Sequence, residues 1–306
     1  MGCTKSSSNV IESPTHTIPQ NRCGSCHDEQ EYQWQQSRHA VSWTNAIFEV
    51  SYHESSYQSW CRDCHRPSIP ISFDIRGHEN GVGCVTCHMN EKGEILSSTI
   101  DIQDQEAPHS LVYSPKLGTS EFCAQCHQFT FQPDHPMFSE VAVQNTYEEW
   151  VHSEEKKQCQ GCHMGSVGHT FPGAHNGQLL KKSIDIDIIR TDSDVQITLL
   201  SKGVGHAFPT GDPFRRLIWK LCLDEKRTVC IAEKILAIVH HGDPWSIKLD
   251  QRLHPNIPKV FSYTTPDFEL WWELSYYFGD PMFESSLESD DVKQIIDEGY
   301  LPIFEE

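Results

Sequence analysis

Long apolar runs are missing from this 306-residue sequence. No stretch approaches the roughly 18 consecutive apolar residues of a spanning helix, and the mean hydropathy is −0.50. A helical integral membrane protein is thereby excluded. Positive charge is scarce too: 24 Lys and Arg stand against 43 Asp and Glu, a formal net charge of −19. Nucleic-acid backbones are bound through clusters of Lys and Arg, so that class of partner is excluded as well. With 37% hydrophobic, 22% charged and 10% aromatic residues, the composition is globular and not that of a disordered chain. The length fits about two domains. Two residue types are in excess, 13 Cys and 18 His, and the function is to be sought in them.

Ten of the cysteines fall in five copies of one pentapeptide: Cys23-Gly-Ser-Cys26-His27, Cys61-Arg-Asp-Cys64-His65, Cys84-Val-Thr-Cys87-His88, Cys123-Ala-Gln-Cys126-His127 and Cys159-Gln-Gly-Cys162-His163. Chance would supply about 0.03 copies of this haem-attachment motif at such a composition. The spacing has a covalent reason. Two thiols one helical turn apart add to the two vinyl groups of a haem, and the adjacent imidazole lies under the iron as proximal ligand. Zinc knuckles also use Cys-x-x-Cys, but five pairs leave an orphan when divided into Cys₄ sites, and zinc does not require His after every second Cys. A thioredoxin-like motif would occur once, after a strand, and a disulfide scaffold leaves the His positions unexplained. Five covalently attached haem c groups, each with its iron, are therefore expected.

Attachment of this kind implies export to the outer side of a bacterial inner membrane. The N-terminus as given, Met1-Gly2-Cys3-Thr4-Lys5-Ser6, has no apolar signal core. Cys3 before a Ser-rich stretch reads as the lipid-bearing Cys of a bacterial lipoprotein, with an incidental Cys as the other reading. The expected location is periplasmic or outer-membrane, extending to the cell surface, with membrane contact only through that lipid.

Residues 1–19 read as a flexible tether. From 20 to 180 the motifs organise the chain, with proximal His residues 38, 23, 39 and 36 positions apart. Such intervals are too short for a conventional apolar core, so porphyrins should supply it. Helices are expected at 28–37, 120–128 and 146–157. From 181 to 283 the pattern changes to short alternating strands. Ser183–Ile188 and Val195–Leu199 flank a turn, and 215–223, 228–239, 259–264 and 268–278 are rich in β-branched or aromatic residues. The expected fold is thus a mainly α and irregular multihaem cytochrome c domain followed by a C-terminal β-sandwich. Cys222 and Cys230 flank the turn Asp224–Arg227, and pair in a cross-strand disulfide or remain two buried thiols. The segment 284–306, with eight acids and one Lys, reads as a solvated acidic tail with a short helix at 289–298.

The sixth position of each iron separates electron carriers from catalysts. Thirteen His remain beyond the proximal five, nine of them from His39 to His206. His39 shares a helical face with Tyr32 and Gln35. His109 follows Pro108, His169 and His175 bracket Phe171-Pro172-Gly173, and His206 lies in Gly205-His-Ala-Phe-Pro-Thr-Gly211. These five are the distal-ligand candidates. His78 and His152 rank below them, while His16, His53, His135, His240, His241 and His254 read as incidental. Met89 and Met164, next to proximal His residues, read as packing on their own haem.

Cys23–His27 followed by Trp34-x-x-Ser37-x-His39-Ala40, Gly81-Val82-x-Cys84-x-x-Cys87-His88 and a later His109 resemble the multihaem cytochrome c superfamily. That superfamily includes the tetrahaem cytochrome of nitrification, pentahaem nitrite reductase and hydroxylamine oxidoreductase. The resemblance implies that His39 serves the third haem and His109 the first. Phe122-Cys123 to Phe129, Thr146-Tyr-Glu-Glu-Trp150, and Gly205 to Gly211 with Phe214-Arg215-Arg216-Leu217 resemble a bacterial subgroup ending in a β domain. Two departures limit the likeness. Pentahaem nitrite reductase has Lys for the proximal His of its catalytic haem, whereas all five motifs here end in His. Hydroxylamine oxidoreductase carries eight haems and a Tyr cross-link.

These readings converge on an electron-transfer cytochrome, mostly bis-His ligated, that passes electrons along a haem chain. No catalytic residue is assigned. The acidic surface calls for redox partners with basic docking faces, and an oligomer is compatible. One alternative is an oxidoreductase with one open haem acting on a small nitrogen or sulfur compound. Another is a subunit of an extracellular haem-chain assembly.

Overall fold

The computed structural model describes residues 23–54, 59–67, 81–99, 109, 111–130, 142–241 and 246–303. The tether with Cys3 and His16, and also His78 and His135, lie outside the described residues, as do the side chains of His240 and His241. The chain divides into two compact units. Unit 1 comprises Met1–Phe122 and Gln158–Phe171, and unit 2 comprises Cys123–Lys157 and Pro172–Glu306. The division falls directly before the fourth pentapeptide, Cys123–His127, which groups with the β region.

Unit 1 is built from short helices: α1 (Asp28–Gln35), α2 (Ala46–Glu54), α3 (Arg62–His65), α4 (Cys84–His88), the start of α5 (Ser120–His127), and α7 (Cys159–His163). A small parallel pair, β1 (Ile95–Ser97) with β2 (Leu111–Tyr113), completes it. Among its described residues only Ala40, Phe48 and Val85 are buried apolar side chains. Haem at the pentapeptides, expected from the motif spacing, would add apolar surface to this small set.

Unit 2 has a core of its own. After α6 (Thr146–Val151) and α8 (Gly177–Lys182), the strands are β3 (Ile184–Arg190), β4 (Asp194–Ser201), β5 (Arg216–Cys222), β6 (Cys230–Leu236), β7 (Ile238–His241), β8 (Ser246–Asp250), β9 (Lys259–Thr264) and β10 (Leu270–Tyr277). One turn of helix, α9 (Ser289–Val292), leads into β11 (Lys293–Leu301). Two antiparallel sheets have the orders β11-β10-β5-β6 and β3-β4-β9, and β7-β8 is a separate hairpin. Alternation places Val195, Ile197 and Leu199 of β4 inward at 0% exposure, as period-2 patterning requires. Trp219 of β5, also fully buried, stacks on Tyr263 of β9 at 5.7 Å and meets Phe261 edge-on at 5.6 Å. The two sheets thus share an aromatic contact. Cys222 and Cys230 form a disulfide across the β5–β6 turn.

The C-terminal segment departs from expectation. Instead of a solvated tail with a helix at 289–298, β11 pairs along the length of β10 as the edge strand of the four-stranded sheet. Ile296 is buried, and Lys293 Nζ reaches Glu273 Oε1 at 2.6 Å. The acids of this segment suggested solvent by composition, but a strand with one apolar face can carry its acids on the other. Pairing overrode local propensity. The helix expected over 146–157 likewise ends at Val151.

Candidate haem-binding site

Each Cys-x-x-Cys-His lies on one helical turn, which puts both sulfurs on one face and the His directly after it. In the first motif the amides of Cys26 and His27 donate to the Cys23 carbonyl at 3.1 and 2.9 Å. The third and fifth motifs are α4 and α7 themselves, and the second and fourth close α3 and α5. Cys23 and Cys84, from the first and third motifs, share a side-chain hydrogen bond that holds the Cys23 thiol down at about 7 and pushes Cys84 up. Burial raises Cys87 to about 11. As thioethers, these sulfurs would no longer titrate.

Two of the pentapeptide rings are held through Nδ1. His65 Nδ1 donates to the Ser42 carbonyl at 2.9 Å, and His88 Nδ1 to the Leu96 carbonyl at 3.2 Å. Carbonyl oxygens only accept, so Nδ1 carries the proton and the acceptor lone pair lies on Nε2. That is the tautomer a metal ligand needs. The ring of His65 also stacks on Phe48 at 4.1 Å.

Two imidazole pairs are spaced for a single iron. A ring nitrogen binds a first-row metal at about 2.0–2.1 Å, and the ring centre lies roughly 1.1 Å further, so two axial rings have centres about 6.3 Å apart. His27 and His109 are 6.5 Å apart, and His88 and His169 are 6.2 Å apart. The pairing of His109 with the first motif follows the resemblance. The third motif differs: His88 faces His169, not His39. His39 is electrostatically coupled to His163 of the fifth motif. Burial first, and then His163, lower its pKa. For His169 burial and then His88 do the same. Both shifts favour the neutral, ligating ring.

The supporting contacts explain the sequence patches. Trp34 Nε1 donates to the Val82 carbonyl at 2.9 Å, Ser37 Oγ accepts from Ala40 N at 3.2 Å, and the His39 carbonyl accepts from Val82 N and Ser42 Oγ, both at 2.9 Å. Trp34 to Ala40 and Gly81-Val82 are therefore one hydrogen-bonded assembly. A Cβ on Gly81 would lie 2.6 Å from Ser42 Oγ and 2.8 Å from its amide, which accounts for the glycine. His169 N donates to Gln33 Oε1 at 3.0 Å. Phe171, in the left-handed region at φ 44°, meets His39 edge-on at 4.6 Å and His169 at 6.0 Å. Sequence reasoning passed over Gln33 and Ser42. Neither is a ligand type, and only Gln33's place on the helix that follows the first motif marks it.

In unit 2, Gln128, next to His127, donates to Asn145 Oδ1 and accepts from Glu148 N, both at 3.1 Å. This ties the fourth motif to the start of α6. The loop Gly205–Gly211 lies against the same helix, with Thr146 and Thr210 hydroxyls 2.9 Å apart. A Cβ on Gly205 would fall 3.0 Å from Trp150 Cδ1 and 2.8 Å from Glu155 Cβ, so only glycine permits this approach. His206 Nδ1 donates to the Ala207 carbonyl at 2.9 Å, which again leaves the acceptor on Nε2. His175 stacks face to face on Phe278 at 3.8 Å. His53 and His152 are exposed beside Glu54 and Glu148, and His254 lies 3.5 Å from Asp250. Among the described residues no three His, Cys, Asp or Glu side chains converge as a protein-only metal site requires. Opposed imidazole pairs over Cys-x-x-Cys turns fit haem instead.

Residues 22–89 match the family described as cytochrome c554 and c-prime. No curated protein matches the chain. Among solved structures, the chain is similar to a penta-heme cytochrome c552 from Thermochromatium tepidum. The TM-score is 0.75 and the identity 21%, covering 95% of this chain and 100% of that one. A hypothetical protein from Pyrococcus horikoshii OT3 aligns at 14% identity over 40% of this chain and 85% of that one, but its TM-score of 0.20 carries no argument. The chain has the fold of a multihaem cytochrome c with a β region.

Proposed function

We propose that this protein is an electron-transfer cytochrome carrying five haem c groups, with the β region folded as a sandwich beside the fourth. The observation that carries the reading is the spacing of His27 from His109 and of His88 from His169, 6.5 and 6.2 Å, in register with Cys-x-x-Cys turns. Four irons would be held by His27 with His109, His88 with His169, His163 with His39, and His127 with His206. Bound haem would supply the one-electron Fe(III)/Fe(II) couple, low in potential under two imidazoles. The chain's own residues bind and orient. Ser42 and Leu96 carbonyls fix the proximal tautomers, Gln33 holds His169, and the assembly around Gly81 holds His39. The subgroup with a C-terminal β domain, export, a lipid on Cys3 and basic redox partners belong to the same reading. The net charge of −19 supports the last of these.

The test is a haem count by mass spectrometry on the exported protein, with EPR of the ferric state. Five covalent haems, with low-spin signals from the four assigned pairs, are expected. Fewer than five, or high-spin iron at the first or third motif, would overturn the assignment. A high-spin signal that shifts on adding nitrite would favour the open-haem enzyme.

A further inference from the structure

The loop that presents His206 is tied down by a buried ion pair that composition does not call for. Glu149 of α6 and Arg252, just after β8, keep only 9% and 8% of their side chains exposed and meet at 2.7 Å. Glu149 Oε2 accepts from the amide of Ala207 at 3.2 Å and the hydroxyl of Thr210 at 2.8 Å. Arg252 Nη1 donates to the Pro209 carbonyl at 3.2 Å, while its Nε and Nη2 grip Asp250 at 3.0 and 2.7 Å. Backbone bonds join Phe208 and Leu253 in both directions, at 2.8 and 3.0 Å. Three of the four residues after His206 are thereby held at a polar atom by this one pair.

Such a pair is a poor source of stability. Desolvation of two charges roughly cancels their attraction, and apolar replacements of like volume are often neutral or better. What it supplies is geometry, because a buried carboxylate with fixed donors cannot slide without losing them. The anchored strip is adjacent to His206, and the helix bearing Glu149 is joined through Gln128 to the fourth motif.

We propose that Glu149, braced by Arg252, is a positioning residue that holds His206 over the iron of the haem on Cys123 and Cys126. The inference rests on the assignment of His206 as that iron's distal ligand. Glu149 bonds the loop at Ala207 and Thr210. Its work is to fix the loop, and Asp250 in turn fixes Arg252.

The experiment uses the full haem-loaded chain and three variants, H206A read by ferric EPR with and without added imidazole, and E149L and E149Q read by the rate of carbon monoxide binding to the ferrous protein. H206A is expected to convert one low-spin haem to high spin, and imidazole to restore it. E149L should raise the fraction of that same iron lacking its sixth ligand, and with it the carbon monoxide binding rate at that haem, by roughly ten- to a hundredfold, the ratio set by losing one buried acceptor. E149Q keeps an acceptor for Ala207 and Thr210 and should show a smaller acceleration. If E149L does not accumulate as folded protein, T210V removes only one donor and should produce the same acceleration to a lesser degree. Wild-type binding rates in E149L or T210V, beside a converted H206A, would overturn the positioning role and leave the ligand assignment intact. A wild-type spectrum in H206A would overturn the assignment itself.

Discussion

Replacing Gln33 with Leu isolates the support of His169, the proposed partner of His88 on one iron, from His169 itself. Leu matches Gln closely in volume, so packing is kept while two hydrogen bonds are lost. One is the 3.1 Å bond from Gln33 Nε2 to Glu29, an exposed i,i+4 contact worth about 0.3 kcal/mol. The other is the 3.0 Å bond from the His169 amide. That amide is partly buried, and stranding it costs about 1–3 kcal/mol. The whole cost falls on the arrangement that sets His169 opposite His88, so the population with His169 displaced should rise roughly 5- to 150-fold. An iron–imidazole bond keeps that population too small for an absorption spectrum, but carbon monoxide binding to the ferrous protein reads it. Carbon monoxide must wait for His169 to leave, so its binding rate at that haem scales with the displaced fraction. A stopped-flow phase accelerated by that factor in Q33L is the expected result. An unchanged rate, or the same acceleration in the exposed-site control Q36L, would refute the reasoning.

Three further outcomes follow from unit 2. Gly205→Ala places a Cβ 2.8 Å from Glu155 Cβ and 3.0 Å from the Trp150 ring, and should lower stability in denaturant titration by about 1–3 kcal/mol. Removing the Cys222–Cys230 bridge, whose sequence separation is 8, should cost about 2.5 kcal/mol by loop-closure entropy, read as a lower midpoint for the C222A/C230A protein. Glu273 loses by burial, but hydrogen bonds from Lys293 and Ser275 and the Lys293 charge win, and its pKa is held below the carboxylate norm. A depressed carboxylate contributes stability above its unfolded pKa of about 4.3 and loses it as pH falls through the folded value. The melting-temperature gap between wild type and E273Q should therefore be constant near neutral pH and close below about pH 4.

The attachment turns were legible because their chemistry is local: a thiol spacing and an adjacent ring need no knowledge of the fold. Strands β3 and β4 were legible for a similar reason, since Ile184 to Ile188 and Val195 to Leu199 declare a period of two, and β5, β6, β9 and β10 showed in their β-branched and aromatic content. The pairing of His169 with His88 was not. It depends on a chain reversal about 80 residues long, and His39 and His169 look alike from sequence. Gln33, Glu149 and Arg252 were hidden because backbone partners leave no trace in residue type, and the Glu149–Arg252 pair joins segments distant in sequence. The strand β11 was masked by Asp and Glu, which say where the solvent is and not which neighbour the backbone will find.

The path of the chain between the units constrains how the protein can be assembled or dissected. Unit 1 is interrupted after Phe122 and resumes only at Gln158, and the returning stretch to Phe171 brings the fifth motif and His169. During synthesis from the N-terminus, the third motif therefore waits for its counterpart until the fourth has already emerged. A fragment ending at Phe122 would contain His39 and His88 but neither His163 nor His169. No single cut separates a haem half from a β half. The shortest N-terminal piece containing all of unit 1 must run to Phe171, and it carries Cys123–Lys157 without the strands those residues pack with.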